Sequence, residues 1–176
     1  MIGYMKRNKL IDCVTFFDNN LMFDIRYNIL ENQIDYFVIC ESRFDHKGDE
    51  KGKKFIFKKE FDPNKIKYLY FDQPFPKKTS RWENQAIQRD YILKNLDFAD
   101  QEDYIFFSDP DEIINPKIFK NFELKKKYGI FLFKCFNYKF NLFNPHETPW
   151  EGTRVAKKKN LKSIDFMRQK VLRKNL

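Results

Sequence analysis

The segment YIFFSDPDE, residues 104–112, carries Asp109 and Asp111 one residue apart, directly after an apolar run. In extended backbone residues i and i+2 point to the same side, so the two carboxylates can converge, and Pro110 between them stiffens the pair by fixing its own φ. Carboxylates that close repel each other unless a cation lies between them. A hard divalent ion, Mn2+ or Mg2+, takes oxygen ligands and keeps positions open for phosphate oxygens. That chemistry suits the departure of a nucleoside diphosphate, whose leaving oxygens gather charge. The competing reading is an acidic turn that caps a helix beginning at Pro116, since such short motifs recur by accident.

The apolar runs around this turn alternate with helical patterns. Strands are expected over 11–17 (IDCVTFF), 36–40 (YFVIC), 55–57 (FIF), 66–71 (IKYLYF), 104–107 (YIFF) and 129–143, the runs at 36–40 and 104–107 being buried on both faces. A helix over 21–31 has Leu21, Met22, Ile25, Ile29 and Leu30 as its apolar stripe. Another, over 81–96, starts at Ser80 with Glu83 in the reciprocal capping position. In the second helix Trp82, Ala86, Tyr91 and Leu93 are expected to face the core. Gln85, Gln88 and Arg89 then lie on a polar side, with Arg89 either solvated or paired with phosphate or the acidic turn. Strand–helix alternation predicts an α/β fold in a single domain, its mixed, mainly parallel sheet flanked by helices. In such sheets ligands bind at the carboxyl ends of the strands, where the acidic turn and Glu41 both fall.

Composition narrows the classes. The chain has 176 residues, 18% of them aromatic with 21 Phe, which argues for a packed core. The net charge of +9 comes largely from scattered lysines, ending in a basic segment over about 155–176. It reads as a solvated face, while leaving open a non-enzymatic protein with a basic surface for nucleic acid or membrane. Three cysteines without a CxxC pair do not suggest zinc, and Cys13 and Cys40 read as small buried hydrophobes. No stretch approaches the ~18 apolar residues of a membrane span and no signal peptide is evident, so a cytoplasmic protein is expected, with peripheral membrane contact left open. His46 and His146 read as isolated surface residues, and five glycines form no phosphate loop.

Five segments in order, IDCVTFFDNNLMFDIRYNIL, IDYFVICESRFDHKG, RWENQAIQRDYIL, YIFFSDPDEI and WEGTRV, resemble glycosyltransferase family 17, with Asp24 where the family helix usually has Glu. The resemblance spans nearly the whole chain. It implies a GT-A-type fold and an inverting transfer of N-acetylglucosamine from a UDP-sugar donor to a glycan or glycoconjugate acceptor, with no nucleic-acid partner. By the same resemblance Asp109 and Asp111 hold the metal and diphosphate, with Glu112 beside them. Phe16, Glu41, Trp82 and Arg89 fall at matched positions on the donor side, and Trp150, Gly152 and Arg154 in a late segment that contacts sugar. Inversion requires a base for the acceptor hydroxyl. Glu147, Glu151 and Asp165 are available, with Glu151 carried as the candidate beside Asp111. A nucleotidyltransferase using the same turn is the enzymatic rival.

Overall fold

The computed structural model describes residues 7–138 and 141–171. The expected apolar runs become β1 (Leu10–Phe16), β2 (Tyr36–Ser42), β3 (Ile66–Phe71) and β4 (Tyr104–Ser108), joined in one sheet by β5 (Tyr128–Phe133) and β6 (Trp150–Lys157). The order is β3-β2-β1-β4-β6-β5. β1 to β4 pair in parallel, and β6 runs antiparallel to both β4 and β5. The expected α/β architecture therefore holds, with a mixed sheet.

Alternation along the buried strands sends side chains to two cores. Val14, Phe16, Phe37, Ile39 and Phe106 pack under α1 (Asn20–Leu30), and Cys13, Val38, Cys40, Ile105 and Phe107 under α2 (Arg81–Leu93) and α3 (Ile164–Arg168). Cys40 gives its thiol hydrogen to the Gln88 carbonyl. Burial pushes the Cys40 thiol up to about 12 and that of Cys13 well above its ordinary 9.0. The unfolded chain ionises these thiols first, so the stability they confer is complete below pH 9 and is lost as pH rises toward 12. Alkylation at pH 8 followed by mass spectrometry should accordingly label Cys135, which is only partly buried, and reach Cys13 and Cys40 only in denaturant.

Several expected elements turned out differently. The stripe of α1 that packs inward is Phe23, Arg26, Tyr27 and Leu30, while Leu21 is 73% exposed and Ile29 also faces solvent. Phe23, Tyr27 and Leu30 keep helical spacing, and a buried arginine joins them on the same side. Residues 55–57 are a loop, because its N–H groups find side-chain acceptors in place of a ladder. Those of Lys54 and Phe55 donate to the Glu41 carboxylate, and that of Ile56 to Asn20 Oδ1. Phe55 still fills the aromatic core, edge-on to Phe16 and Phe23. The expected strand over 129–143 stops at Phe133, with one isolated bridge from Phe136 to Phe143 beyond it. The helix at Pro116 is a short 3₁₀ turn, Pro116–Asn121, capped by Asn115 and not by the acidic turn. β6, read only as a sugar-contacting segment, is a central strand.

In α2 the polar residues turn inward. Asn84, Gln88, Arg89 and Ile92 are buried and Trp82 is 80% exposed, against expectation, while Tyr91 and Leu93 pack on the core as expected. Gln88 donates to the Cys40 carbonyl and its amide oxygen meets His46 Nε2 at 2.7 Å, while Asn84 donates to the His46 carbonyl. These bonds satisfy the buried amides and pin the loop after β2, so His46 is a fold contact and not an isolated surface residue.

Candidate active site

β4 and the loop after it build the site. The turn closes on itself: Glu112 N–H donates to the Asp109 carbonyl at 3.0 Å, and Asp109 N–H donates to Glu112 Oε2 at 3.1 Å. Glu112 is buried and organises its surroundings, receiving the indole N–H of Trp150 at 2.8 Å and Arg168 at 2.9 Å. Behind the turn Asp12 and Arg26 form a buried two-pronged pair at 2.6 Å for both bonds. Arg26 continues to Ser108 Oγ at 2.8 Å and to the Glu112 carbonyl at 3.0 Å. The backbone of the turn is thus fixed from the α1 side by one guanidinium.

Asp109 and Asp111 have different environments. Asp109 binds Arg168 at 2.5 Å and lies 3.8 Å from Arg89, whose other arm holds Asp165 at 2.9 Å. Arg89 therefore reaches the acidic turn, as one of its two expected readings has it. Asp111 is exposed and, with Asp109 and Glu112, lines a cavity of about 780 Å³ that also takes in Met22, Cys135, Glu147 and Trp150. Across that cavity Cys135 donates its thiol hydrogen to Glu147 Oε2 at 3.3 Å. Desolvation first, then this hydrogen bond and the charge of Glu147, raises the Cys135 thiol above its ordinary value.

The remaining candidates divide between the fold and a second cavity. Phe16 is buried in the α1-side core, and its neighbour Phe17, which the sequence did not single out, is the exposed ring at the end of β1. Glu41 is buried at the end of β2, its carboxylate taking Lys51, Tyr68 and two backbone N–H groups of the 51–55 loop. Trp82, Arg89, Glu151 and Arg154 line a separate cavity of about 530 Å³, which Trp150 also borders. Arg154 is buried and donates to the Lys170 carbonyl from both Nε and Nη2. Burial first, then the neighbouring Arg168 cation, lowers its guanidinium from the ordinary value. Arg168 was hidden in what read as a solvated basic tail; no spacing signal in the sequence marks it.

Gly152 lies where β6 passes the turn. A Cβ there would stand 2.5 Å from the Phe133 ring and 3.2 Å from the Glu112 carboxyl carbon. Gly152→Ala should destabilise by about 1–3 kcal/mol through overpacking, read as a lowered urea midpoint with unchanged slope.

Among the described residues no helix is long and apolar enough to cross a membrane, and no group of three or more His, Cys, Asp or Glu side chains is gathered to hold a metal. An ion of the Mg2+ type commonly takes one or two carboxylates and completes its shell with substrate phosphates and water; in the turn Asp111 is the exposed carboxylate, and Asp109 faces Arg168 and Arg89. The family model for glycosyltransferase family 17 matches residues 3–169. The chain belongs to glycosyltransferase family 17. That membership makes it a glycosyltransferase, with a sugar donor and an acceptor as its partners, and the acidic turn, the first cavity and Arg168 lie inside the matched region. Comparisons with curated proteins and with solved structures returned no match.

Proposed function

We propose that this family 17 member is a GT-A-type, metal-dependent, inverting enzyme that transfers a sugar, N-acetylglucosamine by family precedent, from a UDP-sugar to a hydroxyl of a glycan or glycoconjugate. The observation that carries the reading is that Asp109, Asp111 and Glu147 share one cavity. Asp109 and Asp111 would hold Mn2+ or Mg2+ against the donor diphosphate, and the ion would neutralise charge on the leaving oxygens. Arg168 and Arg89 hold Asp109 in place meanwhile. The exposed ring of Phe17 and the loop clamped by Glu41 offer a seat for the nucleotide at the carboxyl ends of β1 and β2.

In the transfer itself the acceptor oxygen bonds to the anomeric carbon from the face opposite the diphosphate, the carbon–oxygen bond to the diphosphate breaks with its electron pair, and the hydroxyl proton leaves to a carboxylate. Of the three late carboxylates, Glu147 is the one in the cavity with Asp111. Asp165 is bound to Arg89, and Glu151 lies in the other cavity, 3.7 Å from Arg154. Glu147 is therefore the general base in this reading. A thermal-shift panel of UDP- and GDP-sugars with and without Mn2+ tests the donor assignment. Stabilisation by UDP-sugars only when Mn2+ is present is expected, and a flat response to every donor would sink the assignment.

A further inference from the structure

The two cavities that meet at Trp150 differ in charge. Asp109, Asp111, Glu112 and Glu147 line the first, against one lysine, Lys134. The second presents three guanidinium groups, those of Arg89, Arg154 and Arg168, with Glu151 as its one carboxylate. Both tryptophans of the chain, Trp82 and Trp150, border this second cavity, at 80% and 44% exposure. A large indole held that open on the surface of a helix whose buried side is polar is unused by the fold itself. Arg154 is bound to carbonyls, and the two terminal nitrogens of Arg168 to carboxylates and a carbonyl. Arg89 is different. It is 6% exposed, and its Nε is, with Asn19 Oδ1, one of two buried side-chain polar atoms among the described residues that have no hydrogen-bond partner. Buried polar groups are almost always satisfied, and a charged donor left without an acceptor points to an acceptor supplied from outside.

We propose that this cavity is a binding subsite for a sugar unit carrying a carboxylate or phosphate, with the ring against Trp82 and Trp150 and the anionic group drawn to Arg89. The sugar class rests on the glycosyltransferase reading; the anion chemistry rests on the cavity alone. The same anion chemistry has two sources, an acidic unit of the acceptor or the donor's own diphosphate, and we assign it to the acceptor because the acidic turn lies across Trp150 in the other cavity.

Because both tryptophans line the cavity, intrinsic fluorescence reports on it directly. Titration of the full chain with glucuronate, glucose 6-phosphate, glucose and UDP, repeated on Trp82→Ala and Arg89→Lys, tests the assignment. Trp82 is exposed, so its alanine variant keeps the test sound should Arg89→Lys fold poorly, and Trp150 remains as its reporter. Quenching by glucuronate and glucose 6-phosphate but not glucose, weakened at least about 10-fold in both variants, is the expected result. If UDP is weakened to the same degree and competes with the sugar anions, the subsite stands with the donor diphosphate as its occupant. Quenching by glucose equal to that by glucuronate, anion binding untouched by both substitutions, or no response to any anion overturns it. A failure of the donor reading looks different: Asp111→Asn would keep its metal-dependent UDP response while glucuronate binding stayed as it was.

Discussion

Arg26→Ala is expected to destabilise the protein by about 3–5 kcal/mol, the largest effect of any single side chain on the α1 side. The arginine is 0% exposed and its partner Asp12 1%, so removing the cation leaves a bare carboxylate in the core with no route to water. The loss is compounded at the turn, where Ser108 and the Glu112 carbonyl lose the same guanidinium. For a chain of this size such a loss lowers the melting temperature by something on the order of 10 °C. The double replacement Asp12→Leu with Arg26→Met removes both charges, and it should recover much of the stability while leaving the turn less well held. Calorimetry of the single and double variants reads both numbers. A single variant within about 1 kcal/mol of the parent would refute the account of this pair.

Asp111→Asn is expected to act in the opposite way, sparing stability and removing activity. Asp111 is exposed, and substitutions at such sites usually fall within about 0.5 kcal/mol. The change keeps the shape of the side chain and deletes the charge that the proposed ion needs. We expect transfer or donor hydrolysis to drop roughly 10²- to 10³-fold, with the Mn2+ dependence of UDP-sugar binding lost alongside it. Glu112→Gln is the informative contrast, since Glu112 is buried and holds Trp150 and Arg168, so it should lose stability as well as rate. An Asp111→Asn protein that still binds UDP-sugar only with Mn2+ would remove that carboxylate from the mechanism.

β1, β2 and β4 were legible because their apolar runs are buried on both faces, and the half-buried β3 was placed to the residue. The acidic turn was legible for the same reason, standing directly after such a run. What the sequence hid were the polar groups that fold inward. Arg26 was absent from the expected apolar stripe of its helix, and its partner Asp12 lies 14 residues earlier on a strand, outside any helical window. Gln88 was given to a polar side, and Trp82 to the core, because periodicity weighs hydrophobicity and cannot see a hydrogen bond to a loop 42 residues away. Arg168 stayed invisible among lysines, since only the packing of α3 on α2 and β6 brings it to Asp109. Among the three late carboxylates the sequence favoured Glu151, whereas the β5–β6 connection brings Glu147 into the cavity with Asp111.

The position of β6 has a consequence for how the chain assembles. Among the described residues it is the last strand in chain order, and it lies between β4 and β5. During synthesis β4 therefore emerges with one edge unpaired, and stays so until residues 150–157 arrive some forty positions later. An apolar strand with a bare edge is a template for intermolecular pairing, and the long loop that must close before it is covered slows the closing. Lys157, together with Glu102, and the run of lysines after it place charge beside that seam. Because Arg168 follows β6 in the chain, the acidic turn gains this second guanidinium, beside Arg89, only after β6 has emerged. Ribosome-bound chains halted before residue 150 should therefore be protease-sensitive around residues 104–112, and chains extended past 170 should be protected there.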